Sequence, residues 1–181
     1  RNLLTDTNKG KAGWSALQLN GTTLVTDFEK IAVKMECTVP STGYHVITYS
    51  IPRSQIDMLE PNSVYTLSFM IKSNMPKTSG NVRIMQVGAS NGLAEYSGFV
   101  FRNDGAWHKI SVKLTTNALT NSHESQNVYI VGFNQVGYVC FKDLKLEKGN
   151  IPTDYSPAPE DTQAQIDTIS TTAKSAVDNL E

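Results

Sequence analysis

Alternation of apolar and polar residues with a period of two runs through most of the first 150 positions, and it restricts the possible folds more than any other feature. In Lys30–Val39, Ile31, Val33, Met35 and Cys37 share one face while Lys34 and Glu36 share the other. In Trp107–Thr115, Ile110, Val112 and Leu114 alternate with Lys109, Ser111 and Lys113. Such patterns are strands with one wetted face. Further short alternating or β-branched runs lie at Ala16–Val25, Tyr44–Ile51, Val64–Ser73, Val82–Gly88, Glu95–Phe101, Val128–Asn134 and Tyr138–Leu146. The pairs Asn20-Gly21, Ser79-Gly80, Asn91-Gly92 and Asp104-Gly105 supply the positive φ of tight turns, so hairpins are expected there. A short helix is expected at Arg53–Leu59, where Pro52 suits a first turn and Ile56 and Leu59 recur at helical spacing. About nine antiparallel strands predict an all-β fold, a jelly-roll β-sandwich.

Composition changes abruptly near residue 150. Residues 154–181 hold six acids and one base, a net of −5, whereas residues 1–153 hold 15 bases and 11 acids, a net of +4. The break falls where Pro152, Pro157 and Pro159 can continue neither a strand ladder nor a helix interior. Three parts are therefore expected: a sandwich over 1–149, a Pro-rich linker over 150–159 and a helix over 160–181. In the last part Ile166, Ile169, Ala173, Ala176 and Leu180 are spaced 3, 4, 3 and 4, an a/d seam. That seam reads as the start of a coiled coil and hence of a homo-oligomer; the alternative is an amphipathic helix lying on the sandwich. The seam is still open at Glu181, and the first residue is Arg1, not Met, so the chain is expected to be a fragment or a processed product.

The same numbers exclude several functions. A formal charge of −1 and a pI near 6.3 argue against coating nucleic-acid phosphates. No run approaches the roughly 20 apolar residues of a membrane-spanning helix. Ser, Thr and Asn make up 48 of the 181 residues and charged residues only 18%, a surface that suits an extracellular β protein. The histidines are His45, His108 and His123, and no zinc, thiol-redox, nucleophile-elbow or P-loop spacing occurs. The chain is therefore read as no enzyme. Cys37 falls on an apolar strand face and reads as a small hydrophobe, with a bridge to Cys140 left open. Asn20-Gly21-Thr22 matches a glycosylation acceptor, but a hairpin turn accounts for it equally.

Several segments fall in a recognisable order: Asn2-Leu3-Leu4, Gly13-Trp14, Tyr65-Thr66-Leu67-Ser68-Phe69, Trp107, and the closing run from Phe141 to Gly149. This order resembles carbohydrate-binding modules of the jelly-roll type. The continuation from Ile151 through Thr153-Asp154-Tyr155-Ser156-Pro157-Ala158-Pro159-Glu160-Asp161 resembles tail, baseplate and receptor-binding proteins of phages that infect Gram-positive bacteria. The resemblance covers nearly the whole chain. It implies a virion protein acting at the bacterial surface, with a host cell-wall polysaccharide and other tail or baseplate proteins as partners, and with neither nucleic acid nor membrane. Side chains expected to bind sugar are His45, Tyr49, Arg83, Gln86, Tyr96, Arg102 and Gln135, with Tyr49 also suited to the core. By the same analogy Trp14 and Trp107 are expected to pack the core. In related modules an acid of the last strand helps hold a structural calcium ion, which makes Asp143 the metal candidate, with a bulge expected near Lys142. A solvated acid beside Lys142 and Lys145 is the alternative. Two other classes stay open: a structural adaptor without a sugar site, and a carbohydrate module cut from a secreted hydrolase.

Overall fold

Among the described residues, ten strands lay their apolar sides against one another in two antiparallel sheets of five. The structure, a computed structural model, describes every residue except 6, 8, 18–21, 27–29, 41–45, 86–92, 119–125, 134 and 179–181, together with all side chains of the remainder but 17, 22, 95 and 96. Sheet A has the order β1 (Trp14–Leu17), β4 (Val46–Ile51), β9 (Gln126–Val131), β6 (Ser79–Met85) and β7 (Ala94–Val100). Sheet B has the order β2 (Thr22–Thr26), β3 (Val33–Cys37), β10 (Gly137–Lys148), β5 (Val64–Ser73) and β8 (His108–Thr115). This is the expected jelly-roll sandwich. The short helix is present as α1 (Arg53–Ile56), and the C-terminal helix as α2 (Pro159–Asp178).

Period-two patterning is what places the core. Val33, Met35 and Cys37 on β3, and Ile110, Val112 and Leu114 on β8, all face inward and are buried. Between the sheets the aromatic rings form a continuous chain. Trp14 stacks on Phe141 at 6.0 Å between centroids and meets Tyr49 edge-on at 5.3 Å. Phe141 in turn touches Phe69 and Phe133. Offset and edge-to-face contacts of this kind add to the area that the rings bury.

Three sequence expectations need correction. The run Ala16–Val25 is not one strand: β1 pairs with β4 in sheet A and β2 with β3 in sheet B. Of the four Gly-containing pairs, only Asn91-Gly92 lies between strands that pair with each other, β6 and β7, and those two residues fall outside the described set, as do Asn20 and Gly21. Ser79-Gly80 is inside β6, where a Cβ on Gly80 would lie 2.6 Å from the Phe99 ring, so packing and not a turn demands the glycine. Gly105 does take positive φ (+74°), but its turn carries the chain from β7 in sheet A to β8 in sheet B. The third correction concerns Trp107. It is half-buried, and its position directly before β8 puts it in phase with Lys109 on the outer side of sheet B, not in the core.

A bulge interrupts β10 between Lys142 and Lys145, with Asp143 at φ 55°. Extra residues in a strand leave ladder groups to be paired otherwise. Here the buried Asn2 does it: its Nδ2 donates to the Leu144 carbonyl at 3.2 Å, and its Oδ1 accepts from the Leu4 and Leu146 amides at 3.1 Å each. Cys37 and Cys140 are both buried, and neither is in a disulfide. Their strands are neighbours, but Cys37 faces the core while Cys140 shares the outer side of β10 with Tyr138 and Lys142, so no bridge can form.

The segment after β10 lies against the sandwich. Lys145 Nζ donates to Thr153 Oγ1 and, at 2.8 Å, to the Asp154 carbonyl, while Glu147 is 2.9 Å from Lys145 and accepts from the Thr153 hydroxyl. Tyr155 bonds to Thr7, and Ala158 is buried. Beyond its first turn, α2 leaves the surface: every described residue from Thr162 onward is exposed. A helix laid along the sandwich is therefore not what forms. Among the described residues no helix is long and apolar enough to cross a membrane.

Candidate functional site

Strand alternation has two sides, and on sheet A the side turned away from the core is also drawn in from solvent. Inward go Ile47, Tyr49 and Ile51 from β4, Val82 and Ile84 from β6, and Val128 and Ile130 from β9. Outward go their alternates, and the register assembles these into rows. Ser15, Thr48, Tyr129 and Arg83 form one row across β1, β4, β9 and β6. Val46, Val131, Asn81 and Gly98 form the next. Ser50, Asn127 and Met85 form a third.

This outer face is recessed. Tyr129 is 7% exposed, Thr48 3% and Asn127 9%, although none of them points into the core. Val46, Met85, Tyr129 and Val131 make an apolar cluster separate from the main core. The Arg83 guanidinium lies over the Tyr129 ring, 5.9 Å from its centroid, which fixes both side chains in mutual orientation. Thr48 Oγ1 donates to the Ser15 carbonyl at 3.4 Å. An apolar floor with one aromatic ring, a guanidinium, a hydroxyl and an amide is the composition of a site that grips a partly apolar, hydroxyl-rich ligand.

The residues expected to bind sugar separate on this geometry. Arg83 lies on the recessed face. Tyr49 does not: it is 2% exposed, packs on Trp14, and donates its hydroxyl to the Thr5 carbonyl, so it belongs to the core. Arg102 is exposed beyond the end of β7. Gln135 is half-buried in the β9–β10 connection, its Oε1 enclosed without a hydrogen-bond partner among the described residues. His45 and Gln86 lie outside the described residues, as does the side chain of Tyr96 on β7. Tyr129, Thr48 and Asn127 were not anticipated. The run Gln126–Val131 is buried on both sides, and such strands lose the contrast by which sequence separates a core face from an outer one.

Asp143 lines a cleft of about 200 Å³ on the opposite sheet, together with Ser68, Met70, Lys109, Asp154 and Tyr155. Burial raises the Tyr155 phenol above its ordinary pKa, reinforced by the negative charges of Asp143 and Asp161 against the opposing bond from Thr7. Calcium takes about six to eight oxygen ligands. Among the described residues no three His, Cys, Asp or Glu side chains converge, so an ion beside Asp143 would draw most of its ligands from backbone carbonyls and water.

Comparison with known proteins bears on this geometry through the fold. No protein-family model matches the chain, and no curated protein matches it in sequence. Among solved structures, a CBM4 carbohydrate-binding module matches with a TM-score of 0.57 and 17% identity, over 78% of this chain and 99% of its own. The CBM22-1 xylan-binding domain from Paenibacillus barcinonensis matches at 0.51 and 12% identity, over 84% and 97%. The enzymatically active domain of tailspike protein 4 from bacteriophage CBA120 matches at 0.54 and 13%, over 82% of this chain but 21% of its own. The chain thus has the jelly-roll fold seen in carbohydrate-binding modules.

Proposed function

We propose that this chain is a non-catalytic carbohydrate-binding module that holds a saccharide on the outer face of sheet A. The observation that carries the reading is the row Ser15–Thr48–Tyr129–Arg83, a recessed aromatic ring flanked by hydrogen-bonding groups across four strands. Sugar rings offer apolar C–H faces to such a ring and hydroxyls to its neighbours. The shared fold with modules that bind glycans supports it. In this reading residues 1–149 bind, 150–159 join, and α2 gathers copies of the chain through Ile166 and Ile169. The run from Thr153 to Asp161 supports a setting on a phage tail or baseplate, with attachment to a Gram-positive cell-wall polysaccharide at the bacterial surface. Several weak sites on one particle would then act together.

A second reading is favoured by neighbours that are parts of glycan-cleaving enzymes, such as the cellulose-binding domain of a Cellulomonas fimi glucanase (TM-score 0.51, 15% identity, 81% of this chain and 95% of its own). Here the module would serve a hydrolase. Calorimetry of the 181-residue chain against cell-wall polysaccharide, xylan and soluble cello-oligosaccharides separates the two. Saturable binding to the wall polymer alone is expected, with Arg83→Gln and Tyr129→Leu each weakening it roughly tenfold under conditions where circular dichroism shows the variant folded. Preference for xylan or cello-oligosaccharides would move the protein to the hydrolase setting. A folded chain that binds none of them overturns the sugar reading.

A further inference from the structure

One polar side chain on the recessed face of sheet A stands apart from its neighbours. Asn127 lies on β9 two residues before Tyr129, so alternation puts both on the same side of the strand, while Val128 and Ile130 turn to the core. It is only 9% exposed. Among the described residues, no hydrogen bond reaches its side chain. Its register partners do not supply one. On β6 it faces Met85, which is buried and offers only a thioether. On β4 it faces Ser50, whose exposed side chain makes no bond to it. Thr48, one row along, already donates its hydroxyl to the Ser15 carbonyl.

An amide withdrawn from water without a partner costs free energy in the free protein. Elsewhere this fold does not leave that cost standing: Asn2, also buried, uses both ends of its amide in three hydrogen bonds. Asn127 differs, and it differs beside the ring proposed to carry the sugar. Its amide presents an acceptor oxygen and a donor NH2 side by side. Two hydroxyls on adjacent ring carbons answer both ends, one donating to Oδ1 and the other accepting from Nδ2. An acetamido group answers only one, because its N–H and C=O point opposite ways across a trans amide. Residues i and i+2 of a strand stand about 7 Å apart on one face. A pyranose stacked over Tyr129 therefore brings the hydroxyls of its edge over Asn127.

We infer that Asn127 determines specificity at the sheet A site, selecting a pyranose with free hydroxyls on two adjacent carbons. The inference rests on the saccharide reading above and narrows it. Sites built to hydrogen-bond a polar group reject ligands that lack it, since their own buried groups then stay unpaired.

The test is calorimetry of the 181-residue chain with Gram-positive cell-wall polysaccharide, before and after periodate oxidation and borohydride reduction. Periodate cleaves the bond between adjacent hydroxyl-bearing carbons and spares sugar units without such a pair. The parent is expected to bind the untreated polymer and to lose about tenfold or more on its oxidation. Asn127→Leu should bind the untreated polymer about tenfold or more weakly and lose markedly less on oxidation. It should also melt at or above the parent's temperature, because the amide it removes has no partner to lose. Tyr129→Leu keeps the amide and should still lose affinity on oxidation. Asn127→Ser, which cannot overfill the recess, repeats the comparison. Equal binding by the parent and both Asn127 variants overturns the inference and leaves the saccharide reading standing, and so do equal losses on oxidation. Melting well below the parent in both variants overturns it too, since the amide would then be holding the fold. A folded parent that does not bind the untreated polymer overturns the saccharide reading itself.

Discussion

Asn2 shows how much one side chain can hold. It lies 0% exposed beside the β10 bulge, joins the first residues of the chain to the last strand through two hydrogen bonds, and accepts a third from the Leu4 amide. Replacing it with alanine leaves the Leu144 carbonyl and the Leu4 and Leu146 amides without their partner in a buried place. Unmade buried hydrogen bonds of this kind are costly, and Asn2→Ala is expected to destabilise the fold by about 2–4 kcal/mol in urea titration. A loss under about 0.5 kcal/mol would mean that water reaches the bulge and replaces the amide. Tyr49 is the complementary case. It had the residue type of a sugar platform and proved to be a core residue, because it alternates in phase with Ile47 and Ile51.

The end of β10 and the segment that follows form the next level of organisation. Lys145 and Glu147 keep 2% and 7% of their side chains exposed and share Thr153. Burial on its own would raise the Glu147 pKa, but the Lys145 ammonium and the Thr153 hydroxyl and amide outweigh it and hold the carboxyl below its ordinary value. A carboxyl depressed in the fold adds stability that is present above its unfolded pKa and is lost as pH falls through the folded one. Melting temperature is therefore expected to drop as the medium is acidified through the carboxylate range, and to drop less in a Lys145→Met/Glu147→Leu double variant. Lys145→Met alone strands a buried carboxylate and is expected to cost about 3–5 kcal/mol, most of it recovered in the double variant. If the single variant melts like the parent, the clasp on Thr153 contributes nothing to the fold.

Assembly is the question posed by α2. Ile166 is 51% exposed, Ile169 69% and Val177 59%, on a helix that leaves the sandwich after its first turn. Isolated helices of this length are marginal in water, and Thr168, Thr171 and Thr172 each bond back to the carbonyl one turn earlier, which lends little support. Burying the apolar side between copies would supply what is missing. Sedimentation of the 181-residue chain is expected to show a concentration-dependent oligomer, which Ile169→Asp returns to monomer while the sandwich keeps its melting temperature. A monomer at every concentration would leave α2 to another partner and remove the avidity on which the attachment reading draws.

Much of the architecture was legible because a half-exposed strand writes its orientation into alternate residues. Lys30–Val39 and Trp107–Thr115 announced strands and core faces, although in the first only Val33–Cys37 is strand and Ile31 is exposed, and the interrupted alternation at Asp143 announced the bulge. Turn residues were less informative, since a glycine that supplies positive φ and a glycine that makes room for Phe99 look the same in a sequence. The site was less legible still. Arg83 was named from the sequence and lies on that face, but Tyr129 belongs to β9, which is buried on both sides, where periodicity cannot say which side meets the core. Alternation is a local property carried by each strand alone. Which strands become neighbours, and in what register, depends on long-range packing between the sheets, and that is what brought Tyr129 to Arg83.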